Sequence, residues 1–125
     1  MPKEERFGRQ ALNLQGPLDV SKIPNNQVRE VVSKLRTLNT AEDWRREVGD
    51  WFESPTYINT AIFARSLGQA ERNRGLPEMF KRFSTRGFDE GSNNYVPHAF
   101  KLVALFCLSD DQLDIAISAF QETRH

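Results

Sequence analysis

Apolar residues recur at intervals of three and four residues along most of this chain. Val28, Val32 and Leu35 form one such stripe, and this spacing places apolar side chains on one face of an α-helix. No stretch shows the sustained alternation of apolar and polar residues that is typical of a half-buried β-strand. The sequence therefore predicts an all-α fold, a compact bundle of five to six helices with no sheet.

Polar residues that favour helix starts divide the first half of the chain. Asn25 or Asn26 can accept a hydrogen bond from the first turn of the first helix, and Thr40 can do the same for the second. Ser54 precedes a proline, and proline is well suited to the first position of a helix. A third helix is therefore expected to begin immediately after Ser54.

Glycine, proline and serine set the remaining helix ends. We expect the third helix to continue to Arg74 and to end at Gly75, with a short fourth helix after Pro77. A nearly all-apolar fifth helix is expected over residues 98–108, and Ser109 begins the sixth. The apolar faces of these helices predict one shared core, which contains Trp44, Phe52, Ile62, Leu102, Leu105 and Phe106.

Composition along the chain predicts one folded domain that follows a flexible start. Residues 1–22 carry Gly8, Gly16 and Pro17 among polar side chains, so we expect a flexible N-terminal arm there and a single helical-bundle domain over 23–125. No apolar run approaches the roughly 20 residues that a membrane span needs. Because the chain has one cysteine and a charged start unlike a secretion signal, we expect a cytoplasmic protein.

Charge is distributed unevenly, although the whole chain is neutral, with 17 basic and 17 acidic side chains. Basic side chains outnumber carboxylates in residues 54–87, whereas carboxylates outnumber basic side chains in residues 88–125. Such asymmetry favours partners of opposite charge or head-to-tail self-association, unless the two segments face each other inside the fold.

Residues with catalytic or metal-binding chemistry are few. The chain has two histidines and one cysteine, and none of them lies at the paired spacing of a zinc site. No glycine-rich phosphate loop or nucleophile elbow occurs in the sequence. We therefore expect a protein that is not an enzyme and that has no catalytic residues, metal or cofactor.

The basic segment is a candidate nucleic-acid surface. On one continuous third helix, Arg65 and Arg72 would align, because seven residues make nearly two turns, and both could contact backbone phosphates. Further along, basic side chains are interleaved with Phe80 and Phe83, a mixture found where single-stranded nucleic acid binds. The candidate nucleic-acid-binding residues of this segment are Arg65, Arg72, Arg74, Lys81, Arg82 and Arg86.

The same charges can instead be satisfied within the fold. Arg65 and Arg72 can pair with the carboxylates that begin the sixth helix, while Phe80 and Phe83 can be core residues. Those carboxylates can also bind a basic partner protein, and the candidate protein-interface residues are Asp110, Asp111 and Asp114. The sequence leaves these interpretations open.

Three local patterns occur in an order that resembles a known family. Gln27-Val28-Arg29 lies in a polar-capped first helix, Ala61, Ala64 and Arg65 lie in a later helix, and residues 99–106 form a helix rich in alanine and aromatic residues. This order is similar to the small helical subunit of type III CRISPR effector complexes. The resemblance implies a non-catalytic bundle, present in several copies, that stacks on itself and on other subunits.

The resemblance also implies a role in nucleic-acid binding. Subunits of this kind line a groove for guide RNA paired with its target strand, and they contact backbone rather than bases. The implied phosphate contacts add Arg29 to the basic residues named above. Two other functions remain open: a protein-interaction module, such as an inhibitor, immunity protein or helical coat or scaffold protein, and a helix-turn-helix DNA-binding regulator that uses residues 55–83.

Overall fold

The structure is a computed structural model, and it describes residues 16–85 and 96–123. These residues form two short 3-10 helices, Val20–Lys22 and Gly49–Glu53, and six α-helices without any strand, which confirms the predicted all-α fold. The α-helices are α1 (Asn26–Leu35), α2 (Ala41–Glu47), α3 (Pro55–Leu67), α4 (Gln69–Thr85), α5 (Val96–Phe106) and α6 (Asp110–Thr123).

The predicted helix caps are present at four helix starts. Asn25, Thr40 and Ser54 each accept a hydrogen bond from a backbone N–H in the first turn of the helix that follows. At the start of α6, the Gln112 backbone N–H donates to Ser109 Oγ at 3.1 Å, and the Ser109 N–H donates to Gln112 Oε1 at 3.0 Å. This reciprocal pair is a capping box, and it confirms the predicted boundary between α5 and α6.

The boundary between α3 and α4 differs from the prediction. The chain turns at Gly68, whose φ of +84° lies in the left-handed region that only glycine adopts at little cost. Beyond it, α4 continues through Gly75 and through Pro77, which lacks the N–H that would bond to the carbonyl four residues earlier. The prediction that the third helix runs to Arg74 is therefore wrong, because the turn uses Gly68 rather than Gly75.

The core is organised around α5 and α6. Helix α6 packs against α2 and α3, while α5 packs against α1 and α3. Trp44 is fully buried, and its ring meets the edges of Trp51 and Phe120 at centroid distances of 6.2 Å. Aromatic pairs in this edge-to-face geometry add stability beyond the area that they bury.

Most of the predicted core residues lie in this core. Trp44 and Leu105 are fully buried, and three further residues pack against the core while half-buried: Phe52, Leu102 and Phe106. Ile62 is 44% exposed, so its assignment to the core is wrong. It follows the fully buried Ala61 by one residue, and that step rotates a side chain by about 100° around a helix axis.

Residues 16–23 lie against the helices. Asn73 Nδ2 donates a hydrogen bond to the Gly16 carbonyl at 2.9 Å, and Arg36 Nη2 donates to the Leu18 carbonyl at 2.6 Å. Ile23 is fully buried. The first 15 residues of the predicted arm lie outside the described residues.

Candidate functional site

Arg72 joins three helices at one point. Its Nη1 donates to the Ala64 carbonyl at 2.7 Å, near the end of α3, and its Nη2 donates to the Leu108 carbonyl at 3.2 Å, just after α5. Nη2 also donates to Asp110 Oδ1 at 2.7 Å, at the start of α6. The residue is 1% exposed. Arg72 therefore donates to carbonyls that have no partner within their own helices. The carboxylate of Asp110 neutralises its charge.

Arg65 reaches the same acidic helix start from α3. Its Nε donates to Asp114 Oδ1 at 2.8 Å, and its Nη1 lies 3.4 Å from Asp110 Oδ2. The hydrogen bond to Asp114 and the nearby charge of Asp110 raise the pKa of the Arg65 guanidinium. The Arg65 side chain is 40% exposed, so its ion pairs are in contact with solvent.

For two of the basic residues, these contacts show whether the charge pairs within the fold or is left for a partner. Arg65 and Arg72 pair with Asp110 and Asp114 inside the fold, as the internal-pairing interpretation expects. They lie on different helices, so the alignment expected from a continuous helix does not occur. Arg72 is buried and cannot contact a phosphate in this structure, contrary to its candidate role. Asp110 and Asp114 form ion pairs with these arginines, and both Asp111 and Asp114 are exposed.

The other candidate nucleic-acid-binding residues that the structure describes lie on α1 and α4. Arg29 donates to the Ile23 carbonyl at 2.6 Å and to the side chain of the neighbouring Asn26. Arg74 is well exposed and forms an ion pair with Glu71, one turn earlier on α4. Two further residues of α4 are exposed, Lys81 and Arg82, and Arg86 lies outside the described residues.

Arg36 is a structural residue that the sequence interpretation missed. It donates to the Leu18 carbonyl and, at 2.8 Å, to the Cys107 carbonyl, while its own carbonyl accepts from the Gln112 side chain. Burial lowers the pKa of its guanidinium. The signal was available, because Arg36 follows Val32 by four residues and therefore continues the buried stripe of α1.

Cys107 is a buried thiol at the end of α5. Burial raises the pKa of this thiol to about 12, so the reactive thiolate is strongly disfavoured at neutral pH. The part of the chain that the structure describes contains no group of three or more histidine, cysteine or acidic side chains that could hold a metal ion. It also contains no helix with the length and apolar character of a membrane span.

One surface of α3 is unusually apolar. Three of its large apolar residues remain exposed: Ile62 by 44%, Phe63 by 57% and Leu67 by 36%. Phe63 meets the ring of Phe106 edge-on at a centroid distance of 6.1 Å. A groove of about 440 Å³ runs beside these rings, lined by Thr56, Asn59, Thr60, Phe63, Leu102 and Phe106. We call this surface, formed by α3 and α5, the α3–α5 face.

Comparison with known proteins gives no relative. No protein-family model, no curated protein and no solved structure matches the chain. The functional argument therefore rests on the α3–α5 face, the exposed charges of α4 and the remaining clefts of the fold.

Proposed function

We propose that this protein is a non-catalytic cytoplasmic subunit that assembles with copies of itself through the α3–α5 face. The observation that carries the proposal is the exposure of Phe63, more than half of whose surface is in contact with solvent. Leu67 lies one turn along α3 from Phe63 and is also exposed, and exposed apolar side chains that lie together mark protein–protein contact sites.

Charge supports a second copy of the chain as the occupant. A two-fold contact brings each surface against itself, so any net charge on the surface would be repelled by the same charge on the partner. The described residues that line the groove are all uncharged, and the whole chain has a net charge of zero. Two copies can therefore approach each other through this face without electrostatic opposition.

The spacing of the exposed residues also supports helix-on-helix packing. Thr56, Thr60, Phe63 and Leu67 recur at intervals of four and three along α3, which places them in one row along the helix. Small hydroxyl side chains at two of these positions leave room for the ring of a partner's Phe63. Such alternation of small and large side chains allows two helices to interdigitate.

The test is the molar mass of the purified protein in solution. We expect sedimentation or light-scattering experiments on the wild type to show a mass above that of the monomer, 14.4 kDa, which increases with protein concentration. Phe63→Lys places a charge in the contact and should give a monomer at all concentrations. The matched control is Ser33→Lys, which adds the same charge at an exposed position of α1.

Two outcomes would overturn this proposal. One is a wild-type protein that stays monomeric up to millimolar concentration. The other is an assembly that Phe63→Lys leaves intact, because the contact would then lie elsewhere on the surface. Circular dichroism of both variants checks that the fold is retained, which we expect because both substituted positions are exposed.

A second candidate function is favoured by the exposed basic side chains of α4. Arg74, Lys81 and Arg82 lie on the exposed surface of this helix, and Arg74 and Lys81 are seven residues apart, so they share a face. In this candidate the protein acts like the small helical subunit of type III CRISPR effector complexes that its sequence resembles. It would bind the backbone of guide RNA or target strand alongside other subunits.

Salt-titrated binding to single-stranded RNA and DNA tests this second candidate. Lys81→Gln with Arg82→Gln should weaken binding to every sequence equally, and each lost phosphate contact should reduce the log–log salt slope by roughly 0.7–0.9. Lys34→Gln, an exposed position on α1, is the matched control. Unchanged affinity and unchanged slope in the double variant would exclude Lys81 and Arg82 as phosphate contacts and would overturn this candidate.

A further inference from the structure

A second groove lies between the N-terminal segment and α4. Its volume is about 440 Å³, and its lining residues are Leu18, Lys22, Pro24, Pro77, Phe80 and Lys81. This volume lies within the range of roughly 300–1,000 Å³ that is typical of small-molecule sites. We call it the lysine cleft.

The body of the lysine cleft is apolar. Pro24 and Pro77 lack a backbone N–H, so neither adds a backbone hydrogen-bond donor to the wall. Phe80 is 8% exposed and presents only part of its ring, while Leu18 is half-buried. Such a surface favours an aliphatic or aromatic group over a polar one.

Two of the described residues that line the cleft are charged, and both charges are positive. Lys22 and Lys81 are exposed, and they come from two separate elements, the first 3-10 helix and α4. None of the described residues that line the cleft is acidic. Asp19 interacts electrostatically with Lys22, but its carboxylate accepts a hydrogen bond from the Ser21 backbone N–H at 3.0 Å and does not line the cleft.

The two walls of the cleft are held together by hydrogen bonds. Asn73, on α4, donates to the Gly16 carbonyl, and Arg36 donates to the Leu18 carbonyl, so the segment that carries Lys22 is anchored to the helices on each side. Asn73 is itself held by a hydrogen bond from Gln69. A cleft with walls fixed before binding loses less entropy when a ligand enters.

From this combination we propose that the lysine cleft binds a small organic anion, a carboxylate or sulfonate that carries an aliphatic or aromatic body. The body packs against Phe80 and the two prolines, while the anionic group lies between the ammonium groups of Lys22 and Lys81. The site is separate from the α3–α5 face, because the two surfaces share no lining residue. Ligand binding here does not depend on assembly.

A pair of fluorescent probes tests the two parts of this proposal. 8-Anilinonaphthalene-1-sulfonate carries the anionic group, and N-phenyl-1-naphthylamine has the same aromatic body without a charge. We expect the wild-type protein to bind the sulfonate more tightly than the neutral probe. In ¹H–¹⁵N spectra, the sulfonate should shift the amide signals of Leu18, Lys22 and Lys81 before that of Phe63 on the α3–α5 face.

Substitutions of the two lysines then test whether their charges bind the sulfonate group. Lys22→Gln and Lys81→Gln should each weaken sulfonate binding by about two- to fivefold, as expected for exposed ion pairs, and should leave the neutral probe unaffected. Lys81→Arg retains the charge and should restore most of the affinity. The matched control is Lys34→Gln, which should change neither probe.

Three outcomes would overturn the proposal. An equal loss of affinity for both probes in the lysine variants would show that the substitutions change the shape of the cleft and not only its charge. Amide shifts confined to α3 and α5 would place the probe on the α3–α5 face. Displacement of the sulfonate by a single-stranded oligonucleotide, but not by excess decanoate, would assign Lys22 and Lys81 to a nucleic-acid surface instead.

Discussion

Arg36, which is partly buried, and Arg72, which is fully buried, bind neighbouring carbonyls at the end of α5. Arg36 donates to the carbonyl of Cys107, and Arg72 donates to that of Leu108. They differ in how their charge is neutralised. Arg72 also donates to the carboxylate of Asp110, whereas the hydrogen bonds from the Arg36 side chain reach backbone carbonyls.

The difference shows what each arginine contributes. The last carbonyls of a helix have no partner within the helix, and an arginine can satisfy several of them at once with its planar set of donors. At Arg36, burial lowers the pKa of the guanidinium, and the nearby charge of Asp19 offsets only part of this effect. At Arg72 the chain places Asp110 in the first turn of α6, and this carboxylate neutralises a more deeply buried charge. One acidic residue therefore serves both the helix start and the arginine.

The largest effect that this comparison predicts is for Arg72→Ala. It leaves the Ala64 and Leu108 carbonyls without their donor and opens a cavity in the core, so we expect a loss of about 3–5 kcal/mol in the free energy of unfolding. Urea denaturation followed by circular dichroism measures this change. Arg74→Ala, at an exposed position two residues away, is the control and should unfold like the wild type. A wild-type midpoint for Arg72→Ala would show that Arg72 is not part of the core.

Arg36→Ala should have a smaller effect, about 1.5–3 kcal/mol, because this arginine is only partly buried and donates these hydrogen bonds to uncharged carbonyls. It should also free the N-terminal segment, which Arg36 holds through the Leu18 carbonyl. We therefore expect trypsin to cleave after Lys22 faster in this variant than in the wild type. Lys34→Ala is the control. Equal cleavage rates would mean that Asn73 and Arg29 hold the segment without Arg36.

The backbone carbonyl of Cys107 accepts a hydrogen bond from Arg36, and the thiol of the same residue should make the stability of the protein depend on pH. Burial raises the pKa of its thiol to about 12 from an ordinary value of 9.0. The pKa of the thiol is higher in the folded protein than in the unfolded chain. The burial of the neutral thiol therefore contributes its full share of stability below pH 9, and this share is lost as the pH rises towards 12. Its upper limit is about 1.4 kcal/mol for each pH unit in that interval.

Urea unfolding of the wild type and of Cys107→Ala between pH 8 and pH 11 measures this contribution. The wild type should lose stability more steeply above pH 9, while tyrosine and lysine titrations affect both proteins alike. Parallel curves would show that the thiol ionises as readily in the folded protein as in the unfolded chain.

The parts of the fold that depend on a few adjacent residues could be predicted from the sequence. Asn25, Thr40, Ser54 and Ser109 cap helices, as their residue types indicate, because a cap forms between residues two or three positions apart. The spacing of apolar residues likewise predicted the helices and the burial of Leu105.

The parts that depend on contacts between distant residues could not be predicted in the same way. Gly68 and Gly75 are equally able to end a helix, and only packing of the whole chain selects Gly68 as the turn. That selection moves Arg72 from the flank of α3 to the first turn of α4, where it points into the core. The pairing of Arg72 with Asp110, 38 positions away, was one of several interpretations that the residue types allow, and no local pattern selects it.

The smallest effect on stability is expected for Arg65→Ala, because Arg65 is the most exposed of the three arginines that contact this region. Arg65 shares Asp110 with Arg72, but its side chain is 40% exposed, and ion pairs in contact with water contribute little to stability. We expect a slightly lower unfolding midpoint than that of the wild type, and a smaller change than for Arg36→Ala or Arg72→Ala. A double-mutant cycle with Asp114→Ala isolates the Arg65–Asp114 pair, and raising the salt concentration should remove its coupling energy.

A loss of stability as large as that of Arg72→Ala would mean that Asp110 is held in place by Arg65 rather than by Arg72. If binding to single-stranded nucleic acid weakens at unchanged stability, Arg65 exchanges its aspartates for phosphates, and the acidic start of α6 acts as a competitor for that surface.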